Sequence, residues 1–174
     1  MPTNRTGYTS DDGTFGMRAV AVMLRNGCVL LSRLEYEDLW VLPGGRVFIG
    51  ETAQDAVKRE IKDEAGFEIG VERLLWVIEN FFTYKGIEES LDIRHDARVH
   101  DIGFYFLVTP EESAGQWQEE EFQGADFPER PDVKIIFKWF VREELEDLNL
   151  VPPILKDLLK EIPDRTKHLV NRSI

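Results

Sequence analysis

The stretch from Gly45 to Phe67, GRVFIGETAQDAVKREIKDEAGF, constrains this chain more than any other part of it. A glycine-bounded loop feeds a helix expected over Thr52 to Ala65, stopped by Gly66. Residues three and four apart on a helix share a surface, so Glu60, Asp63 and Glu64 crowd three carboxylates together. Like charges at that spacing repel, and a hard divalent cation with oxygen ligands is the usual remedy. The helical phase argues against a simple solvated acidic face. At roughly 100° per residue, Ala53, Ala56, Val57, Ile61 and Ala65 form one apolar stripe. Glu64 falls near its middle, Glu60 on its border and Asp63 beside Ala56, whereas Asp55, Arg59 and Lys62 project away. Acids on a packing side are costly unless paired or coordinated.

The remaining sequence fits one domain of 17–162, preceded by a polar segment (1–16) and followed by a short, somewhat basic tail (163–174). A chain of 174 residues is long enough for a real core. No apolar run approaches the roughly 18 residues that span a bilayer, so no membrane partner is expected. The single cysteine, Cys28, lies inside an apolar strand pattern and reads as a small buried hydrophobe. With no disulfide possible and no signal-peptide pattern, a cytoplasmic location is expected. The net charge of −12 disfavours stable binding to nucleic acid. It would also repel a polyphosphate substrate, unless cations bound at the acidic helix reverse the local sign.

Met17 to Leu24 and Cys28 to Arg33 read as strands joined by an Asn26-Gly27 hairpin turn. A short strand is expected over Leu39 to Leu42, stopped by Pro43-Gly44-Gly45. Further strand patterns run from Leu74 to Tyr84, Ile102 to Thr109 and Lys134 to Val141. Between them lie two long irregular segments, Lys85 to Asp101 and Pro110 to Asp132. Arg142 to Leu145 begins a helical turn, and Pro152-Pro153 opens a helix expected to reach Glu161.

The glycine-bounded run resembles the Nudix box, G-x5-E-x7-R-E-U-x-E-E-x-G-U with U bulky and apolar. Gly45, Glu51, Arg59, Glu60, Ile61, Glu64, Gly66 and Phe67 match it, and the preceding Trp40 to Gly44 resembles the family's strand into the motif. The resemblance implies an α/β (α+β type) fold, an α/β/α sandwich around a mixed sheet. It also implies an Mg²⁺- or Mn²⁺-dependent hydrolase that cleaves a diphosphate bond in a nucleoside diphosphate linked to another moiety. Nucleoside triphosphates, dinucleoside polyphosphates and nucleotide sugars all remain open as small-molecule substrates, and a homodimer is common in the family. The alternative is a catalytically silent nucleotide-sensing module. Such modules usually lose box acids, which are retained here.

By the same resemblance, Glu60 is the expected general base or bridging metal ligand, with Asp63, Glu64 and the Gly44 carbonyl as further ligands. Arg59 and Glu51 are expected to pair and hold the loop to the helix. Gly45, Arg46, Trp40 and Tyr84 are the expected substrate contacts, and Phe81, Phe82 and Trp117 are further rings able to stack on a base. A later-loop carboxylate, with Asp132 as the candidate, would complete the set. Two residues depart from the family pattern. Asp63 replaces the first glutamate of the E-E pair and is one methylene shorter. Phe48 stands where many members carry an acid, and is expected either to remove an outer ligand or to offer the substrate an apolar contact.

Overall fold

The computed structural model describes residues 6–84, 97–111, 115–124 and 133–173. Its framework is a mixed sheet running β7 (Glu121–Gln123), β8 (Ile135–Val141), β3 (Cys28–Leu34), β2 (Gly13–Arg25), β6 (Ala97–Pro110), β5 (Ile69–Tyr84) and β9 (Lys167–Ser173), with β1 (Gly7–Ser10) and β4 (Gly44–Arg46) also paired to β2. Strand β2 (Gly13–Arg25) is its hub. Along one edge it pairs in turn with β1 (Gly7–Ser10), β4 (Gly44–Arg46) and β3 (Cys28–Leu34), all antiparallel. Its other edge pairs in parallel with β6 (Ala97–Pro110) from Thr14 to Met23. The Asn26-Gly27 turn forms as expected, with both residues at positive φ (49° and 81°). Strand β5 (Ile69–Tyr84) lies antiparallel to β6, and β8 (Ile135–Val141) pairs β3 on one side and β7 (Glu121–Gln123) on the other.

Alternation along β2 sorts its side chains onto two faces. Ala19, Ala21 and Met23 pack with Ala56, Val57, Ile61 and Ala65 of α1 (Ala53–Ala65). Val20 and Val22 face the opposite cluster, with Leu145, Leu150, Leu155 and Leu159 from the C-terminal segments. Helical segments thus cover both faces, giving the layered α+β architecture that was expected. Among the described residues, no helix is long and apolar enough to cross a membrane.

Several elements differ from the sequence reading. Leu39 to Leu42 is not a strand. Val41 and Trp40 make only isolated bridges, to Ser32 and Leu150. Pairing instead resumes at Gly44–Arg46, where glycines let β4 close tightly on β2: a Cβ on Gly44 would lie 2.2 Å from the Ala19 carbonyl oxygen. The C-terminal helix contracts to α2 (Leu155–Leu158), preceded by a 3-10 turn at Arg142–Asp147. The polar N-terminal segment supplies β1, and the tail supplies β9 (Lys167–Ser173), parallel to β5. Part of the segment read as irregular before Asp101 belongs to β6, and the one after Pro110 contains a 3-10 turn (Gln116–Gln118) and β7.

Candidate active site

Helix α1 is fixed at both ends by its own sequence. The Thr52 hydroxyl accepts the Asp55 backbone N–H at 3.1 Å, an N-cap. Gly66, left-handed at φ 78°, closes the other end by donating its N–H to the Lys62 carbonyl. The loop before the helix is fastened by Arg59. Its Nε donates to Glu51 Oε1 at 2.8 Å and its Nη2 to Glu51 Oε2 at 2.9 Å, a fork-to-carboxylate grip. Nη2 also reaches the Arg46 carbonyl at 3.0 Å, and Nη1 donates to Glu60 Oε1 at 2.7 Å. Glu51 in turn accepts the Phe48 N–H at 2.9 Å. One guanidinium therefore ties the loop to the helix and aims Glu60.

Phe48 has a contact that neither of the two sequence readings named. The Arg59 guanidinium carbon sits 3.8 Å from its ring centroid, a cation–π contact covering the ion pair. The Arg59 hydrogen bond holds the Glu51 carboxyl below its ordinary range, against the opposing effect of burial. Burial acts to lower Arg59, but Glu51 and Glu60 outweigh it and hold the guanidinium firmly charged.

Glu60 lies flat against the β4 backbone. A Cβ placed on Gly45 would fall 2.3 Å from the Glu60 carboxyl carbon, so only glycine admits that approach. Glu64 is half-buried. Burial, and then repulsion from Glu60, push its carboxyl up to about 8, which Arg18 and Arg59 offset only in part. Gly124 passes so close behind that a Cβ there would be 2.2 Å from the Glu64 carbonyl oxygen.

The expected ligand set is only partly assembled. Asp63 is exposed although Ala56, close to it in phase, is buried, so cover on that flank ends between them. The Gly44 carbonyl receives Arg18 Nη2 at 3.5 Å. Among the described residues, no three acids or histidines converge into a finished metal-binding group. The donors nevertheless suit a hard cation in kind. They are oxygens, and Glu64 is driven towards its neutral form by burial and by its neighbour Glu60, a cost that a bound cation would relieve.

The expected substrate contacts separate. Trp40 is a core residue, 7% exposed, edge-on to Phe140 at 4.7 Å within the cluster on the far side of the sheet from α1. Its backbone bridges Leu150, and the Arg33 guanidinium lies over its ring at 5.2 Å. Trp117 packs against the core on the α1 side, where its carbonyl accepts Arg25 and Trp139. Arg46 turns its guanidinium over Gly16, where a Cβ would collide with it. Tyr84 ends β5, but its side chain, like Asp132, lies outside the described residues.

Sequence reasoning missed Arg18, whose charge acts on both Glu64 and Asp101. A lone cation inside the apolar Met17–Leu24 run was the available signal. It also missed Asp101, 6% exposed, raised by burial and bonded by Asn80 Nδ2 at 2.9 Å.

The sequence model of the NUDIX domain matches residues 15–161. The RNA pyrophosphohydrolase of Hydrogenovibrio crunogenus is 34% identical over 92 residues, covering 51% of this chain and 54% of that protein. The diphosphoinositol polyphosphate phosphohydrolase 2 of Rattus norvegicus is 36% identical over 76 residues, covering 41% and 42%. The chain spans between 28% and 54% of the length of the curated relatives it matches. Among solved structures, a UDP-X diphosphatase superposes with a TM-score of 0.57 at 24% identity, covering 92% of this chain and 70% of that one. A NUDIX hydrolase from Nitrosomonas europaea gives 0.59 at 14% identity, covering 94% and 81%. At such identities the structural likeness speaks for the fold.

Proposed function

The chain belongs to the NUDIX family, and from that premise we propose that it is a divalent-metal-dependent hydrolase of a diphosphate bond in a nucleoside diphosphate linked to another moiety. The observation that carries this reading is the pairing of a fixed and a frustrated carboxylate. Glu60 is held between Arg59 and the Gly45 backbone, and next to it Glu64 is forced up to about 8. That arrangement costs stability and has no packing purpose, which is the pattern of a built site. The activities for which the two relatives are named, RNA pyrophosphohydrolase and diphosphoinositol polyphosphate phosphohydrolase, point the same way.

In this reading Glu60 and Glu64, with the Gly44 carbonyl, would hold Mg²⁺ or Mn²⁺, and Asp63 would add charge from the exposed flank. The ion, when bound, polarises the phosphoryl oxygens and lowers the pKa of water. Glu60 accepts the proton of the attacking water as the bridging P–O bond breaks. Arg59 and Glu51 keep Glu60 in line and touch no substrate. Arg18, beside the Gly44 carbonyl, supplies the cation that a phosphate entering from the sheet side meets. A panel of nucleoside triphosphates, dinucleoside polyphosphates and nucleotide sugars, assayed with Mg²⁺ and with Mn²⁺, tests the reading. Turnover of at least one is expected, falling about 10²- to 10⁴-fold in Glu60→Gln. A folded, metal-loaded protein that binds nucleotide and cleaves none would be a sensing module instead.

A further inference from the structure

The face of the sheet turned away from α1 changes character beyond its apolar cluster. Val20, Ile78 and Tyr105 belong to that cluster, and Leu169 packs against it. The alternation that places them there puts Arg18, Asn80, Asp101 and Asn171 on the same face. Pairing sets Asn171 opposite Asn80, Asn80 opposite Asp101 and Asp101 opposite Gly16, a single rung across four strands. The side chains join along it. Asn171 Nδ2 donates to Asn80 Oδ1 at 3.2 Å, and Asn80 Nδ2 donates to Asp101 Oδ1 at 2.9 Å. The ladder ends on a carboxylate that is 6% exposed.

An asparagine ladder needs no charge at its end, and a carboxylate in so dry a place is costly unless a cation answers it. Two cations approach this one. Arg46 turns its guanidinium over Gly16, the residue opposite Asp101. Arg18 stands opposite Gly103, two residues along from Asp101. From strand spacing and rise, that diagonal is roughly 8 Å at the backbone, within reach of an arginine side chain. Tyr105 folds across Gly103 and walls the cluster, since a Cβ there would lie 2.6 Å from its ring. Burial raises the Asp101 carboxyl, and Arg18 is the largest influence opposing it, ahead of the Asn80 hydrogen bond and of Arg46.

Arg18 needs such a partner. Arg46 is directly opposite it in the β2–β4 pairing, and like charges so placed repel. Its contact with the Gly44 carbonyl is 3.5 Å long, at the limit of a hydrogen bond, and the acceptor is neutral. That contact alone does not fix a guanidinium against a neighbouring cation. We propose that Asp101 is a positioning residue, whose carboxylate steadies the Arg18 guanidinium beside the Gly44 carbonyl where the diphosphate arrives. This rests on the hydrolase reading for what Arg18 meets. Asp101 acts through Arg18 and touches no substrate.

Calorimetric titration of the full chain with inorganic pyrophosphate in Mg²⁺ reads Arg18 without any need for turnover. Asp101→Asn keeps the shape and the oxygen that accepts from Asn80, and removes only the charge. It is expected to weaken binding about three- to thirtyfold, and Arg18→Gln by at least as much. The double variant is expected to lose no more than about twofold beyond Arg18→Gln, because Asp101 then has nothing to position. Losses that multiply, full-strength binding in Asp101→Asn, or no binding by the wild type would overturn the proposal. Asn171→Ala removes the far end of the ladder and leaves the charge. A loss there equal to that of Asp101→Asn would show that the ladder matters and the charge does not, which also overturns it. Should Asp101→Asn not fold, Asp101→Ser takes its place in the cycle. In nucleotide assays Asp101→Asn is expected to raise KM and to leave kcat within about threefold, the mark of lost binding. Pyrophosphate binding that depends on Asp101, in a protein that hydrolyses no nucleotide, would leave the role standing and sink the hydrolase. Hydrolysis with KM and kcat both unmoved in Asp101→Asn would do the reverse.

Discussion

The coupling between Glu51 and Arg59 can be predicted in magnitude. Their side chains are 16% and 25% exposed, so the pair is mostly removed from water, and two charge-assisted hydrogen bonds join them at 2.8 and 2.9 Å. Breaking a fully buried pair costs about 3–5 kcal/mol because one charge is stranded. Partial exposure reduces that, so Arg59→Ala should cost about 2–4 kcal/mol. The loss includes the Glu60 and Arg46 hydrogen bonds and the Phe48 contact. For a domain of this size, each kcal/mol lowers Tm by about 2–4 °C. Arg59→Lys keeps the charge but offers no fork, and should recover less than half of the loss. Urea denaturation of the wild type, Glu51→Gln, Arg59→Ala and the double variant gives the coupling energy, expected at about 1–2 kcal/mol. Single-variant effects that add to within roughly 0.5 kcal/mol would mean that the two side chains act independently, and the account of the loop would be wrong.

Two further outcomes follow from other parts of the molecule. The Glu64 carboxyl is raised from 4.5 to about 8 by burial and by Glu60. Above pH 4.5 the unfolded chain loses this proton while the folded chain keeps it, so in metal-free buffer stability falls with rising pH from about 4.5 to 8 and then levels. The full shift caps the effect at roughly 5 kcal/mol, and water at the half-buried group should leave about 1–3. Glu64→Gln should therefore match the wild type near pH 5 and exceed it at pH 8.5 in chelator-treated melts, whereas parallel curves would refute the assignment. Separately, deleting 167–174 strips the parallel partner from β5 between Trp76 and Phe82 and removes the Asn171 Nδ2 donor from Asn80 Oδ1. Hydrogen exchange should then quicken in β5 and leave β3 and β8 unchanged. Equal protection of β5 in both chains would show that β9 contributes nothing.

How much of this was legible in the sequence depended on whether a residue's role was local. Thr52, Asp55 and Gly66 announce the limits of α1 through caps that need only a few residues. Asn26-Gly27 announces the hairpin in the same way. The Glu51–Arg59 pair was readable from the spacing of the box. Gly44–Arg46 was not readable as a strand, because glycine carries no apolar pattern and its pairing depends on how closely β2 approaches. Strand β9 was hidden because an exposed edge needs only backbone partners, so a polar segment serves. Helical phase placed Glu60 and Glu64 on the inner side but could not show where cover ends, and Asp63 emerged exposed. The neighbours Tyr8, Phe15, His100, Phe81 and Arg172 come from five strands, and only the strand register brings them together.

Titration of the protein with Mn²⁺ at pH 7, repeated in buffers of different protonation enthalpy, reads cation binding and the proton it displaces together. Binding is predicted, with release of roughly one proton as Glu64 gives up its hydrogen to the ion. In Glu64→Gln the release should vanish and the affinity should fall by at least tenfold. Binding of equal strength in the wild type and the variant, or no binding at all by the folded protein, would contradict the claim that the acids of α1 form a metal-dependent catalytic centre.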